Sequence, residues 1–283
     1  MNAREALHLT RQRLKDAGIE EYSIEAEVIV REAMRLPRER LYTSMTLPLQ
    51  SEAEARLMGI LSRRCEREPL AYLTGRREFF GLSLSITPDV LVPRPETEHV
   101  VEEVLRLIAT STAPVVVDVG TGSGAIGLAV THGNPRAHVV VTDLSRSALA
   151  LARRNAVLLG LDKQMSFVFG DLLHPVRVTA DVIASNPPYI ATGDIAALQP
   201  EIRDFEPLGA IDGGPDGLTL IRRLIADAPA KLAPGGALVM EVGAGQARAV
   251  AAIAEGGPFA PATITRDLAG IERVVTLRLS PVR

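Results

Sequence analysis

The sequence predicts an α/β protein, with a doubly wound, mostly parallel sheet preceded by a small N-terminal helical bundle. Two observations carry this. Up to about Leu70 the apolar residues recur at helical spacing, whereas beyond residue 94 short β-branched runs alternate with helical stretches. The second pattern is that of βαβ units, whose strands lie parallel. Two domains joined by a linker are expected: a bundle over residues 1–70, a β-hairpin linker over 71–93 and the sheet-bearing domain over 94–283.

In the bundle, "SIEAEVIVREAMRL" and "SEAEARLMGILSRRCER" each gather apolar residues on one helical face. Ser51 with Glu54 spells a capping box for the second helix. Arg56, Arg63, Arg64 and Arg67 share this stretch. They form either a solvated face, the usual fate of a charge run, or a contact for acidic groups on a partner. The linker "AYLTGRREFFGLSLSITPDVLVP" alternates with period two between Gly and Pro punctuation. After the helix "PRPETEHVVEEVLRLI" come the strands "VVVDV", "HVVVTDL", "SFVFGD" and "DVIASN", separated by helical stretches such as "RSALALARRNAVLLG".

Composition narrows the function classes. The chain has 283 residues, is 47% hydrophobic and carries a formal net charge of −3. That balance lacks the basic footprint of a nucleic-acid binder, so no direct nucleic-acid partner is expected. Cys65 is the single cysteine, which excludes an internal disulfide and a cysteine-based metal cluster. No metal site is expected. The charged start "MNAREALHLTRQRLKDAG" has no apolar signal core and no later run is long enough to span a bilayer. A cytoplasmic protein without a membrane partner is expected.

Ligands of doubly wound sheets bind beyond the carboxyl ends of the strands, and four strand ends carry suggestive residues. The first runs into "DVGTGSGAIGLAV", where Gly120, Gly122 and Gly124 let the backbone turn tightly and approach a ligand. Gly122, Gly124 and Gly127 also fit G-x-G-x-x-G, so this loop suits a nicotinamide dinucleotide as well as another adenosine ligand. Asp143 ends the second strand, about 20 residues on, where a carboxylate accepts from ribose hydroxyls. It could equally cap the next helix, a duty Ser145 could share. Asp171, after the third strand, is placed to accept from an adenine amino group.

The fourth strand end, "SNPPY", discriminates. Hydride transfer has no use for it, whereas methyl transfer to a planar nitrogen does. The Asn186 side-chain oxygen and a proline carbonyl can each accept one N–H of the acceptor. Pro187 and Pro188 fix the backbone direction, and Tyr189 can stack on the flat group.

With these motifs, with "PLAYLTGRREFFGLSLSITPDVLVPRPETE" and with "FEPLGAIDGGPDGL", nearly the whole chain resembles the PrmC or HemK family of protein-glutamine methyltransferases. These are class I methyltransferases acting on peptide-chain release factors. The resemblance implies a seven-stranded class I methyltransferase sheet, S-adenosylmethionine as cofactor, and a helical domain that helps dock a release factor. It implies cofactor contacts at Gly120, Thr121, Gly122, Ser123, Gly124, Asp143, Asp171, Leu172 and Asn186. Asn186, Pro187, Pro188 and Tyr189 become the glutamine-holding tetrad. Phe79, Phe80 and Arg94 match the family's linker motif, as core packing or as ligand contacts. The expected reaction is methylation of the glutamine amide in the Gly-Gly-Gln loop of a release factor. The alternatives are a ribosomal-protein glutamine methyltransferase, a DNA adenine or rRNA guanine methyltransferase, and a non-catalytic adapter.

Overall fold

The computed structural model describes residues 1–280. They form two compact units, Met1–Arg76 with Gln199–Phe205, and Arg77–Leu198 with the chain from Glu206 onward.

The first unit is helical: α1 (Ala3–Asp16), α2 (Tyr22–Met34), α3 (Arg38–Leu41), α4 (Ser51–Cys65) and α5 (Leu70–Thr74). Leu14, Ile29, Leu41, Leu57 and Leu61 are buried in its core, each burial stabilising by roughly 1.5–3 kcal/mol. The capping box sits at α1, where Asn2 Oδ1 accepts from the Glu5 amide and Glu5 Oε2 accepts from the Asn2 amide. The one expected at Ser51 does not form. Gln50 takes the N-cap position of α4, so Ser51 is already the first helical residue and makes no cap bond.

Of the four arginines only Arg63 is exposed, and each of the four has a partner in the helical unit. Arg56 donates twice to the Ala33 carbonyl, at 3.0 and 2.8 Å, and Arg63 pairs with Glu68. Arg64 is 4% exposed and bridges Glu25 at 2.6 Å and Glu201 at 3.0 Å. Arg67 also binds Glu201, at 2.7 Å. Together they anchor the π-helical turn Glu201–Phe205 in this unit. The sequence pattern hid this because Glu201 lies 137 residues from Arg64.

The second unit opens with the hairpin β1 (Arg76–Phe79) and β2 (Leu82–Ser85), of which Arg76 is counted with the helical unit. Then come α6 (Glu98–Ile108), β3 (Val115–Val119), α7 (Ala125–Gly133), β4 (His138–Asp143), α8 (Arg146–Leu159), β5 (Met165–Phe169) and β6 (Ala180–Ser185). The unit closes with α9 (Thr219–Asp227), β7 (Leu232–Glu241), α10 (Ala247–Ala254), β8 (Thr263–Arg266) and β9 (Glu272–Arg278). The seven-stranded sheet has the order β5-β4-β3-β6-β7-β9-β8, parallel through β7, with β9 antiparallel to both neighbours. This is the expected doubly wound class I methyltransferase sheet, with β3 to β6 on the four predicted strands.

Strand order reverses at β3, which pairs with β4 on one side and β6 on the other. The connections leave in opposite directions there and open a crevice at the carboxyl ends. Asn155 of α8 ties the hairpin to that end, accepting from the Ser85 amide and donating to the carbonyls of Ser85 and Ser123.

Removing one partner of a buried ion pair strands the other charge. Arg64→Ala is therefore expected to destabilise the helical unit by about 3 kcal/mol, read as loss of amide-exchange protection in α2 and α4.

Candidate functional site

A cavity of about 560 Å³ opens at the carboxyl ends of β3, β4, β5 and β6, within the roughly 300–1,000 Å³ usual for small-ligand sites. All four predicted strand ends reach it, for Gly120, Gly122, Asp143, Asp171, Leu172 and Asn186 are among its lining residues.

The loop after β3 divides into a face and a foundation. Gly120 and Gly122 have φ of 70° and 56°, and a Cβ on either would meet nothing within 4 Å, so bare backbone faces the opening. Thr121 and Ser123 are buried beneath. Thr121 Oγ1 donates to Asp118 at 2.6 Å, and the Ser123 carbonyl accepts from Asn155. Gly124, at φ 89°, begins α7. Gly127 packs that helix onto the sheet, where a Cβ would stand 2.7 Å from Val141 Cγ1 and 3.1 Å from Asp118 Oδ2.

Asp118 is fully buried, and burial pushes its carboxyl up to about 6, against hydrogen bonds from Thr121 and the Gly127 amide. Its Oδ1 has no hydrogen-bond partner among the described residues. Asp143 does not cap α8. Ser145 does, its Oγ accepting from the Ala148 amide. Asp143 instead accepts from the amides of Gly122 (2.9 Å) and Ser145 (2.8 Å), which aims the carboxylate and leaves lone pairs for a diol. Asp171 accepts from Arg223 of α9. Leu172 holds a left-handed φ of 47°, an uncommon backbone state for a non-glycine residue that collects at functional sites.

The tetrad follows β6 as irregular chain, and Ile190 just beyond it forms an isolated bridge with Asp212. Asn186 Nδ2 donates to Thr97 Oγ1 at 3.1 Å, and the Tyr189 hydroxyl donates to Glu241 Oε1 at 3.1 Å. The segment "DGGPDG" packs against the tetrad's backbone. A Cβ on Gly213 would stand 2.8 Å from the Pro188 carbonyl, and one on Gly217 2.3 Å from that of Tyr189. Phe79 is buried and, like Phe80 and Arg94, is not among the cavity-lining residues. The Phe80 amide donates to Glu98, and Arg94 pairs with buried Glu206.

Comparison with known proteins decides the family. A release factor glutamine methyltransferase from Geobacter sulfurreducens is 42% identical over 98% of this chain and 96% of its own. One from Cereibacter sphaeroides is 40% identical over 99% of each. The chain belongs to the release factor glutamine methyltransferase family. The models of the PrmC N-terminal domain and the methyltransferase small domain match residues 5–75 and 101–201. A methyltransferase from Pyrococcus furiosus shares the fold, with TM-score 0.53 at 17% identity over 82% of this chain and 100% of that one.

Pattern reading missed Asp118, Thr97, Glu241 and Gly217 in this family member. The third glycine of "GGPDGL" was the available signal for the last, since glycine-rich runs mark close backbone approach.

Two outcomes are expected. The folded Asp118 carboxyl lies above its unfolded value, so its protonated form favours the fold below about pH 4, and that contribution is lost as pH rises through about 6. Relative to Asp118→Asn, the wild type should lose about 2.4 kcal/mol of unfolding free energy between pH 4 and 7.5. A pH-independent difference in denaturation would contradict this. Gly217→Ala, forced into left-handed backbone and onto the Tyr189 carbonyl, should destabilise by at least about 2 kcal/mol, seen as a lowered Tm.

Proposed function

We propose that the protein transfers the methyl group of S-adenosylmethionine to the side-chain amide nitrogen of the glutamine in the Gly-Gly-Gln loop of bacterial peptide-chain release factors. One observation carries this reading above the others. In a member of this family, Asn186, Pro187 and Pro188 of the Asn-Pro-Pro-Tyr turn form one wall of a cavity whose remaining walls suit an adenosine ligand.

The residues present fit the cofactor. Asp143 is held by two backbone amides in a pose to accept from a ribose diol. Gly120 and Gly122 offer open backbone, Leu172 an apolar wall, and Asp171 an acceptor for an exocyclic amine. Asn186 borders the same cavity. Thr121, Ser123 and Gly124 serve by shaping the loop. When bound, S-adenosylmethionine supplies an electrophilic methyl group carried on a sulfonium.

The chain's own task is to hold the acceptor. An amide nitrogen is a poor nucleophile because its lone pair is delocalised into the carbonyl. Asn186 Oδ1 accepts one amide N–H and a tetrad proline carbonyl the other, which turns the nitrogen toward the methyl donor. Tyr189 offers its ring to the flat group. Each hydrogen bond adds about 0.5–1.5 kcal/mol, whereas orienting two reactants removes roughly 7–11 kcal/mol of barrier, so positioning dominates. Bound beside an acceptor held in this way, S-adenosylmethionine would supply the methyl group, its sulfur keeping the electron pair of the broken S–C bond, and the methylated amide nitrogen would lose one proton to water, with no general base assigned. The helical unit is the part we assign to docking the release factor.

Mass spectrometry of an intact release factor incubated with enzyme and S-adenosylmethionine should show one added methyl group on the loop glutamine. Label on a Gln→Ala factor, or on competing DNA or rRNA, would sink the reading. Asn186→Ala should lower kcat by about 10²-fold with a much smaller change in cofactor Kd. Asp143→Ala should weaken cofactor binding by about 1.5–3 kcal/mol, the worth of hydrogen bonds to a charged group, measured by calorimetry.

A further inference from the structure

We infer that Thr97 and Glu241 are positioning residues that dictate which end of the Asn186 amide, oxygen or nitrogen, is presented to the substrate. The inference rests on the acceptor-holding role proposed for Asn186, and it adds residues that no part of that role names.

Thr97 and Glu241 are 4% and 1% exposed. Thr97 Oγ1 donates to Glu241 Oε2 at 2.6 Å, the short separation of a charge-assisted hydrogen bond. A hydroxyl has one proton, and an ionised carboxylate can only accept. The Thr97 proton is thereby committed to Glu241, and the oxygen shows Asn186 only lone pairs. The Asn186 atom 3.1 Å away must then be a donor, which is Nδ2. Oδ1, on the other branch of the planar amide, is left for the cavity that Asn186 lines.

The opposite flip would set Oδ1 against a Thr97 lone pair and Nδ2 against the N–H groups of the incoming amide. Both contacts would be repulsive. The second carboxylate oxygen takes the Tyr189 hydroxyl at 3.1 Å, so one buried group orients two of the four tetrad residues.

The fold builds this relay by register. β6 pairs with β7 so that Ser185 lies beside Met240, which puts Asn186 and Glu241 at the next step of adjacent strands. Thr97 arrives from the single 3₁₀ turn Pro95–Thr97 before α6. The "RPETE" segment, matched to the family but given no task by sequence reasoning, thus acquires one. Arg273 and Glu96 are the other charged groups acting on Glu241. On balance the Glu241 carboxyl lies above its ordinary value, because burial outweighs the opposing Thr97 and Tyr189 hydroxyls and Arg273.

The test compares Thr97→Val, which keeps the shape and deletes the hydroxyl, with Thr97→Ser, which keeps the hydroxyl, and with Glu241→Gln. Thr97→Val should lower kcat about 10²-fold with cofactor Kd within about threefold of wild type, and Thr97→Ser should restore most of the rate. Glu241→Gln forces one of the two hydroxyls to turn its proton away and should lower kcat by at least about tenfold; it stands in if Thr97→Val does not fold.

The second readout needs no substrate. The Asn186 side-chain NH₂ resonances, assigned by their loss in Asn186→Ala, should shift in Thr97→Val and Glu241→Gln and stay in place in Thr97→Ser. Wild-type kcat in Thr97→Val, equal impairment of the Ser variant, or NH₂ resonances blind to Thr97→Val would overturn the inference. A wild-type enzyme that methylates no glutamine would sink the proposed reaction instead, while the resonances still decide the orientation of Asn186.

Discussion

The pairing of β3 between β4 and β6 is the constraint on which the site depends. It fixes the reversal of strand order, and with it the place where two loops diverge. Both loops are sewn to the sheet at that point. The amides of Gly120 and Thr121 donate to the Thr142 carbonyl at 2.9 and 3.0 Å, and Ser185 Oγ donates to the Val119 carbonyl at 2.8 Å. The glycine loop and the Asn-Pro-Pro-Tyr turn therefore inherit their separation from strand register. A slip of one residue would turn each of these side chains to the other face.

Around this frame the molecule keeps carboxylates where burial opposes ionisation. Asp118 lies under the glycine loop and Glu241 under the tetrad, each with burial as the largest influence on its titration. A buried charge is costly unless its hydrogen bonds are complete. Glu241 receives two hydroxyl donors, whereas Asp118 Oδ1 has no partner among the described residues. Such departures from core rules collect at functional sites, where geometry is favoured over stability. The left-handed Leu172 belongs to the same group.

Much of this was readable in the sequence because the informative residues were close together in it. The four strands announced themselves by β-branched runs, and "SNPPY" by the rigidity of two prolines after an asparagine. What stayed hidden depends on distant partners. Thr97 and Glu241 stand 144 residues apart, and an isolated acid at the end of "GGALVME" carries no local sign of its partner. The arginines of α4 looked like a charged face because Glu25 and Glu201, which neutralise Arg64, lie on other elements. The capping box at Ser51 failed over a single residue of helix phase.

The most direct measurement of the central claim is a high-resolution crystal structure of the enzyme with S-adenosylhomocysteine and the glutamine loop of a release factor bound. Asn186 Oδ1 and a tetrad proline carbonyl should each lie within about 3.2 Å of the glutamine amide nitrogen, with Asn186 Nδ2 still on Thr97. A glutamine amide held by other residues, or an Asn186 amide turned with Nδ2 toward the substrate, would contradict the claim.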